Sequence, residues 1–132
     1  DIMVSGSKMP KIKITSSLKE ASSKITKYKL GLAIVMKKKI VEGILTDGDA
    51  RRSLRHNLKF KSLKNIMNSN PVFISENSTA SKALAIMNKK KITSLLVTSE
   101  KNLNSKNKNL IGIVHIHSIL QFGIKWAQEK KG

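Results

Sequence analysis

The sequence predicts an α/β (α+β) fold built from two similar β-α-β-β-α halves that are related by pseudo-twofold symmetry. The first observation is an internal repeat, because Ile2-Met3 recurs as Ile66-Met67 and LGLAIVM at 30–36 is matched by ITSLLVT at 92–98. The second is that apolar, strand-like runs alternate with helical spacing in both copies. A unit of about 60 residues has little room for a core of its own. We therefore expect two halves, 1–60 and 61–132, to pack together.

The bulk composition excludes several classes of protein. At 132 residues the chain has an ordinary single-domain size, and 39% of it is hydrophobic. No apolar run approaches the length of about 18 residues that a membrane helix needs, and the N-terminus does not resemble a signal peptide. The chain has no cysteine, which excludes disulfides and thiolate metal sites. These features fit a cytoplasmic protein.

The net charge of +18 raises the question of nucleic-acid binding. Only Arg51, Arg52 and Arg55 are arginines, so 26 − 3 leaves 23 lysines. Bidentate recognition of bases and phosphates relies on arginine, and binding of single strands relies on aromatic platforms. Aromatic residues make up only 4% of the chain. We interpret the lysine excess mainly as solvated surface, and a lysine-rich nucleic-acid-binding domain is the less favoured alternative.

The first half contains clear local signals. Ser17 and Glu20 form a capping-box pattern that begins a helix, and this helix should end near Lys29. The remaining elements expected in this half are strands at 30–36 and 40–45, a charged turn at 37–39, a helix at 47–54 and a polar connection at 55–65.

The second half repeats this order with different turn chemistry. A helix capped by Asn77 or Ser78 should follow a short strand at 72–75. We then expect a strand at 92–98, a polar loop at 99–109, a strand at 110–114 and a final helix with the apolar residues Ile116, Ile119, Leu120 and Ile124.

The stretch VEGILTDGDARRSL, residues 41–54, is the candidate site. It reads as a strand, a tight polar turn and a helix, which is where α/β proteins present ligand-binding groups. The helix start offers free N–H groups that suit phosphate, and Thr46 and Asp49 offer acceptors for sugar hydroxyls. This combination describes a site for a phosphorylated sugar or a nucleotide. The alternative is that Thr46 or Asp47 only caps the helix.

The repeat, with GILTDGDARR in its first copy, resembles a tandem pair of CBS domains, or Bateman module, over essentially the whole chain. The ligand signature of that family is Gly, an apolar residue, a spacer, Thr or Ser, two spacers and Asp. Gly43, Ile44, Thr46 and Asp49 match it in order. The resemblance implies a ligand-sensing module that binds nucleotides at these residues, with Arg51 and Arg52 within reach of a phosphate or carboxylate.

The second copy departs from this signature. His115 stands at the threonine position and Ser118 at the aspartate position. Because a neutral hydroxyl forms weaker hydrogen bonds than a carboxylate, we expect the second site to be weaker, altered or empty. His117 lies two residues from His115, and on a strand the two would face the same side. This pair could line the second cleft, titrate at a partner contact or be structural.

A narrower resemblance connects the chain to the regulatory C-terminal region of arabinose-5-phosphate isomerases. It rests on TDGD followed by two arginines, on GIVHIH, and on the Gly123-Ile124 pair. It implies an N-terminal sugar-isomerase domain that serves Kdo and lipopolysaccharide biosynthesis, a homodimer of modules, and AMP, ATP or CMP-Kdo as regulatory ligand. The chain begins at Asp1, close to where such a module begins, so it resembles an excised fragment or a stand-alone relative.

Catalysis by the chain itself is not expected. No nucleophile–base pair, Walker-type glycine loop or H-E-x-x-H helix is present in the sequence. A metal site would need a third ligand beside the two neighbouring histidines, and the sequence offers only His56. The main interpretation is therefore a regulatory module without a resident cofactor, and the alternative from another class is a structural dimerisation module whose site is vestigial.

Overall fold

Two small sheets and the helices that cover them form the described part of the computed structural model, residues 2–56 and 62–121. The strands are β1 (Met3–Val4), β2 (Lys11–Lys13), β3 (Leu32–Lys37), β4 (Ile40–Thr46), β5 (Phe73–Ser75), β6 (Ser94–Thr98) and β7 (Gly112–His115). The helices are α1 (Leu18–Tyr28), α2 (Asp47–Arg55), α3 (Leu63–Ile66), α4 (Ala80–Lys90) and α5 (116–121). Short 3₁₀ turns lie at Gly6–Lys8 and Glu100–Asn102.

The first half is a three-stranded sheet in the order β2-β3-β4, with β2 parallel and β4 antiparallel to β3. The capping box that begins α1 is confirmed, because Glu20 N donates to Ser17 Oγ at 3.1 Å and the Glu20 carboxylate accepts from Ser17 N. The helix ends at Lys29, as predicted, in a left-handed conformation. Its apolar face packs on the sheet in a core that includes Leu18 and Val35.

The second half has the same arrangement, with β5 parallel to β6 and β7 antiparallel to it. The β-α-β-β-α order predicted for each half is therefore confirmed. The predicted cap of α4 is wrong: Thr79, and not Asn77 or Ser78, accepts a hydrogen bond from Lys82 N at 3.1 Å. Asn77 belongs to the preceding turn, where its N–H donates to Ser75 Oγ.

A short segment of each half pairs with the sheet of the other half, an arrangement that was not predicted from the sequence. Strand β1 pairs antiparallel with β7, and a bridge joins Asn68 to Ile44 in β4. These segments carry the repeated Ile-Met pairs. Gly43 and Gly112 lie directly beneath them, and a Cβ at Gly43 would come within 2.9 Å of Met67 Sδ. The two glycines thus permit a close approach between the halves.

The halves also share a core, in which Leu32, Ile34, Leu96 and Ile113 are buried together. The connection predicted at 55–65 is partly wrong. Its last residues begin α3, which buries Leu63 at 1% exposure, whereas 57–61 lie outside the described residues. The stretch 55–65 contains three apolar residues, Leu58, Phe60 and Leu63, so its sequence does not single out Leu63 as the anchor.

The final helix begins as predicted at residue 116, and its described part ends at 121. Ile119 is buried in the second-half core and Ile116 packs against it, while Leu120 is 48% exposed. The prediction for Ile124 falls outside the described residues, as does the Gly123-Ile124 pair. Among the helices within 2–56 and 62–121, none is long and apolar enough to cross a membrane.

Candidate functional site

A cleft with a volume of about 280 Å³ lies between the two halves. Its lining is mostly apolar. The first half contributes residues 30–32, Ile44 and 46–48, and the second half contributes Asn68, Pro71, Val72, residues 91–94 and Leu96. The start of β3 and the start of β6 thus face each other across the cleft, while the strand-to-helix turn between β4 and α2 closes one end.

The N-terminal turn of α2 presents one unused backbone donor to this cleft. Asp47 N donates to Gly31 O at 2.9 Å, and Asp49 N donates to Thr46 Oγ1 at 3.1 Å. The amides of the first helical turn have no partner within the helix. Of the N–H groups of Asp47, Gly48 and Asp49, only that of Gly48 donates to no carbonyl or side chain within the described residues. Such an amide at the positive end of a helix suits an anion.

Thr46 and Asp49 are engaged with each other in a capping box. Asp49 Oδ2 accepts from Thr46 N at 3.4 Å, which completes the exchange described above. Of the two residues that the sequence offered as caps, Thr46 is the N-cap and Asp47 is the first residue of the helix. Thr46 lines the cleft, whereas Asp49 lies in a shallow neighbouring depression with Arg52, Ser53, His56 and Ile66.

Both arginines of the motif pair with acidic residues on the same helix. Arg51 Nη2 lies 3.3 Å from Asp47 Oδ2, and Arg52 pairs with Asp49. Neither arginine lines the cleft. Both ion pairs are exposed, so they contribute little to stability and can exchange for a stronger anion. A ligand role for Arg51 and Arg52 remains a prediction, as it does for Thr46 and Asp49.

The second-copy residues His115, His117 and Ser118 do not line the cleft. His115 is the last residue of β7, while His117 and Ser118 belong to α5. The two imidazole rings stack with centroids 4.9 Å apart, and His117 N donates to His115 Nδ1 at 3.1 Å. No cluster of three His, Asp or Glu side chains suited to a metal ion occurs in the described ranges. Ligand binding by these three residues stays a prediction.

Burial, and secondarily the charge of His117, lowers the pKa of His115 below 6.5. The unfolded chain therefore binds more protons than the folded chain between the lowered pKa and about 6.5. We predict that the free energy of unfolding falls as the pH drops below about 6.5, and that His115→Gln reduces this fall. Urea titrations of both proteins at pH 7.5 and 5.5 (about two units apart, spanning the ordinary histidine pKa) measure the difference.

His56→Gln is the matched control, because His56 lies at the C-terminal end of α2, far along the chain from the stacked pair. An equal reduction in both variants would refute the assignment to His115.

Several cleft residues were not predicted from the sequence, namely Gly48, Asn68, Pro71 and residues 91–94. The repeat held a usable signal, since the alignment of 92–98 with 30–36 brings residues 92–94 into correspondence with 30–32. Both segments line the cleft. Equivalent segments at the starts of β3 and β6 thus both contribute to the cleft, whereas 46–48 line it and their counterparts at 115–117 do not.

Two curated relatives each match 94% of this chain. The chain is 34% identical over 125 residues to an uncharacterized protein of Rickettsia prowazekii (strain Madrid E), covering 94% of this chain and 37% of the relative. It is 30% identical over 127 residues to the arabinose 5-phosphate isomerase KdsD of Escherichia coli (strain K12), again covering 94% and 37%. The chain therefore spans little more than a third of the length of these relatives.

Solved structures share the fold. CBSX2, crystallised in complex with AMP, superposes with a TM-score of 0.79 at 16% identity, covering 96% of each chain. The CBS domain pair of protein MJ0100, in complex with 5′-methylthioadenosine and S-adenosyl-L-methionine, gives 0.76 at 21% identity, covering 92% of this chain and 94% of the other.

The CBS domain model matches twice, at residues 1–56 and 63–125, which together make up most of the chain. These two matches follow the two halves seen in the structure. The chain thus belongs to the CBS domain family, of which it carries two copies in tandem.

Proposed function

We propose that this chain is a regulatory module whose inter-half cleft binds a nucleotide or sugar nucleotide, either an adenine nucleotide or CMP-Kdo. The observation that carries the proposal is the position of the free Gly48 N–H at the end of an apolar cleft built by both halves. Apolar walls suit a base, and a helix N-terminus suits a phosphate. The volume of about 280 Å³ lies just below the range of about 300–1,000 Å³ that is typical of small-molecule pockets.

The remaining motif residues would contribute at the mouth of the cleft. Thr46 lines the cleft, and α2, which begins after Thr46, contains Asp49, Arg51 and Arg52. A ligand with ribose, phosphate and carboxylate groups would compete for the two arginines, whose present partners are the half-exposed carboxylate of Asp47 and the less exposed carboxylate of Asp49. At the second copy, His115, His117 and Ser118 would form a weaker or altered site, since their ring stack and helix position use part of their surface.

Ligand binding would change the relative packing of the halves, because both halves line the cleft and each lends a segment to the other. A ligand that prefers one packing shifts the population toward it. We further propose that this shift controls an attached, N-terminal arabinose-5-phosphate isomerase domain of Kdo and lipopolysaccharide biosynthesis, in a cytoplasmic homodimer. The similarity to KdsD and the larger size of the relatives support this assignment. The chain itself would carry no catalytic residue.

A structural dimerisation module with a vestigial site is the second candidate. It is favoured by the capping box, in which Thr46 and Asp49 satisfy each other and leave fewer groups for a ligand.

Isothermal titration of the chain with AMP, ATP and CMP-Kdo decides between the two candidates. The regulatory proposal predicts saturable binding of at least one of them, with a rise in melting temperature of the size that mass action gives. If none of the three binds and none shifts the melting temperature, the regulatory proposal fails and the structural module is supported.

A further inference from the structure

A second cavity, of about 520 Å³, lies apart from the cleft and shares no residue with it. We call it the lysine groove. Strand β2 and the β3–β4 hairpin form one side, and the end of the long loop before β7 forms the other. It is lined by Lys11, Lys13, Lys38, Lys39 and Asn109 and by the apolar residues Ile12, Met36 and Leu110.

The charges around this groove are all of one sign. Lys11 and Lys13 flank the buried Ile12 on an edge strand, so their side chains leave the same face of the strand. Lys38 and Lys39 form the hairpin turn beside them. No carboxylate lines the groove, and across 2–56 and 62–121 none of the four ammonium groups forms an ion pair or hydrogen bond. The lining of the cleft, in contrast, includes the carboxylate of Asp47 beside a single lysine, Lys91.

Asn109 adds an oriented neutral donor. Its Oδ1 accepts from Thr98 Oγ1 at 2.7 Å, from Ser99 Oγ at 3.0 Å and from Asn102 Nδ2 at 2.9 Å. Ser99 N also donates to this oxygen, at 3.4 Å, and four donors on one oxygen fix the orientation of the amide group. The Nδ2 amino group is left without a partner among the described residues. Every polar side-chain group that remains available in the lysine groove is therefore a donor.

Donors without acceptors, around a cavity of this size, indicate a small and multiply charged anion. Pockets for small ligands typically have volumes of about 300–1,000 Å³, and this one falls within that range. Nucleic acid fits less well, because the lining has no aromatic ring for stacking and no arginine for bidentate contacts. We infer that the lysine groove binds a small polyphosphate, with its phosphate groups on the lysines and on Asn109 Nδ2. This inference does not depend on the proposed function of the cleft.

Inorganic tripolyphosphate is the probe, because it has no base or sugar for the cleft. Calorimetry at about 0.15 M salt should detect its binding to the full chain. The double variant Lys38→Gln/Lys39→Gln should weaken binding about tenfold or more, since two of the charges that face the anion are removed. Asn109→Asp should weaken it comparably, because this isosteric change keeps Oδ1 and replaces the amino donor with a negatively charged acceptor.

Lys89→Gln/Lys90→Gln is the matched control, since these adjacent lysines lie exposed at the end of α4 and outside the groove. It removes the same charge and should weaken binding less than about threefold, the effect of general electrostatics. AMP binding should be unaltered by the groove variants. The inference is overturned if the control loses as much affinity as the groove variant, if tripolyphosphate does not bind, or if a single-stranded oligonucleotide binds more tightly and responds equally to both double variants.

Discussion

Gly43→Ala is expected to lower the free energy of unfolding by about 1–3 kcal/mol, the usual cost of overpacking. A Cβ at this position would lie 2.9 Å from Met67 Sδ and still closer to the backbone oxygen of Asn68, which cannot rotate away. Gly112→Ala should have a similar effect, since its Cβ would overlap the Met3 side chain and lie 2.8 Å from Val4 O. Urea denaturation of both variants measures the loss.

Gly48→Ala is the control, because its Cβ would meet only ordinary contacts, with Arg52 Nη1 at 3.5 Å and Thr46 Oγ1 at 3.9 Å. In this helix the substitution should leave stability unchanged or raise it by up to about 1 kcal/mol. If Gly43→Ala and Gly48→Ala behaved alike, the close approach of the exchanged segments in the structure would be wrong.

Gly48→Asp is expected to abolish most of the affinity of the cleft for an anionic ligand, at least tenfold and with little loss of stability. The new carboxylate would lie beside the free N–H that we assign to the phosphate. Two like charges about 4 Å apart repel by about 1 kcal/mol or more. An acidic residue in the first helical turn is itself favourable. Calorimetry with AMP, ATP and CMP-Kdo, together with thermal melting, separates binding from folding.

Gly48→Asn has nearly the same shape without the charge, so it isolates the electrostatic part of the effect. It should retain much more affinity than Gly48→Asp. Equal affinities for the two variants would place the phosphate elsewhere in the cleft and contradict the assignment to Gly48.

Local features of the fold were predictable because they depend on neighbouring residues. The capping box of Ser17 and Glu20, the Thr46 cap and the end of α1 at Lys29 follow from interactions within three or four positions. The prediction of the α4 cap was wrong because three consecutive residues can all cap a helix. Only the course of the preceding turn selects Thr79 among them. The stretch at 55–65 was misinterpreted because its apolar residues are few among basic and polar ones, and the sequence does not show which of them is buried.

The candidate site was predictable only in part. Thr46 was found from the motif and lines the cleft, whereas the placement of Asp49 and Arg52 in the neighbouring depression was not predicted. An i,i+3 carboxylate–guanidinium pair competes with any ligand for those side chains, and its strength depends on exposure rather than on spacing. The second wall of the cleft came from residues that lie 22 to 50 positions after Thr46 in the chain.

The sequence by itself determined the duplicated β-α-β-β-α plan, the capped helices and the position of the strand-to-helix turn, because repeats, periodicity and capping are properties of neighbouring residues. Only the tertiary structure decided which segments cross between the halves, why Gly43 and Gly112 must be small, and which groups meet in the cleft and in the lysine groove. These features arise where two surfaces that are distant in the chain come into contact. The shape of such a contact depends on both surfaces together, so it cannot be inferred from the residues of either one.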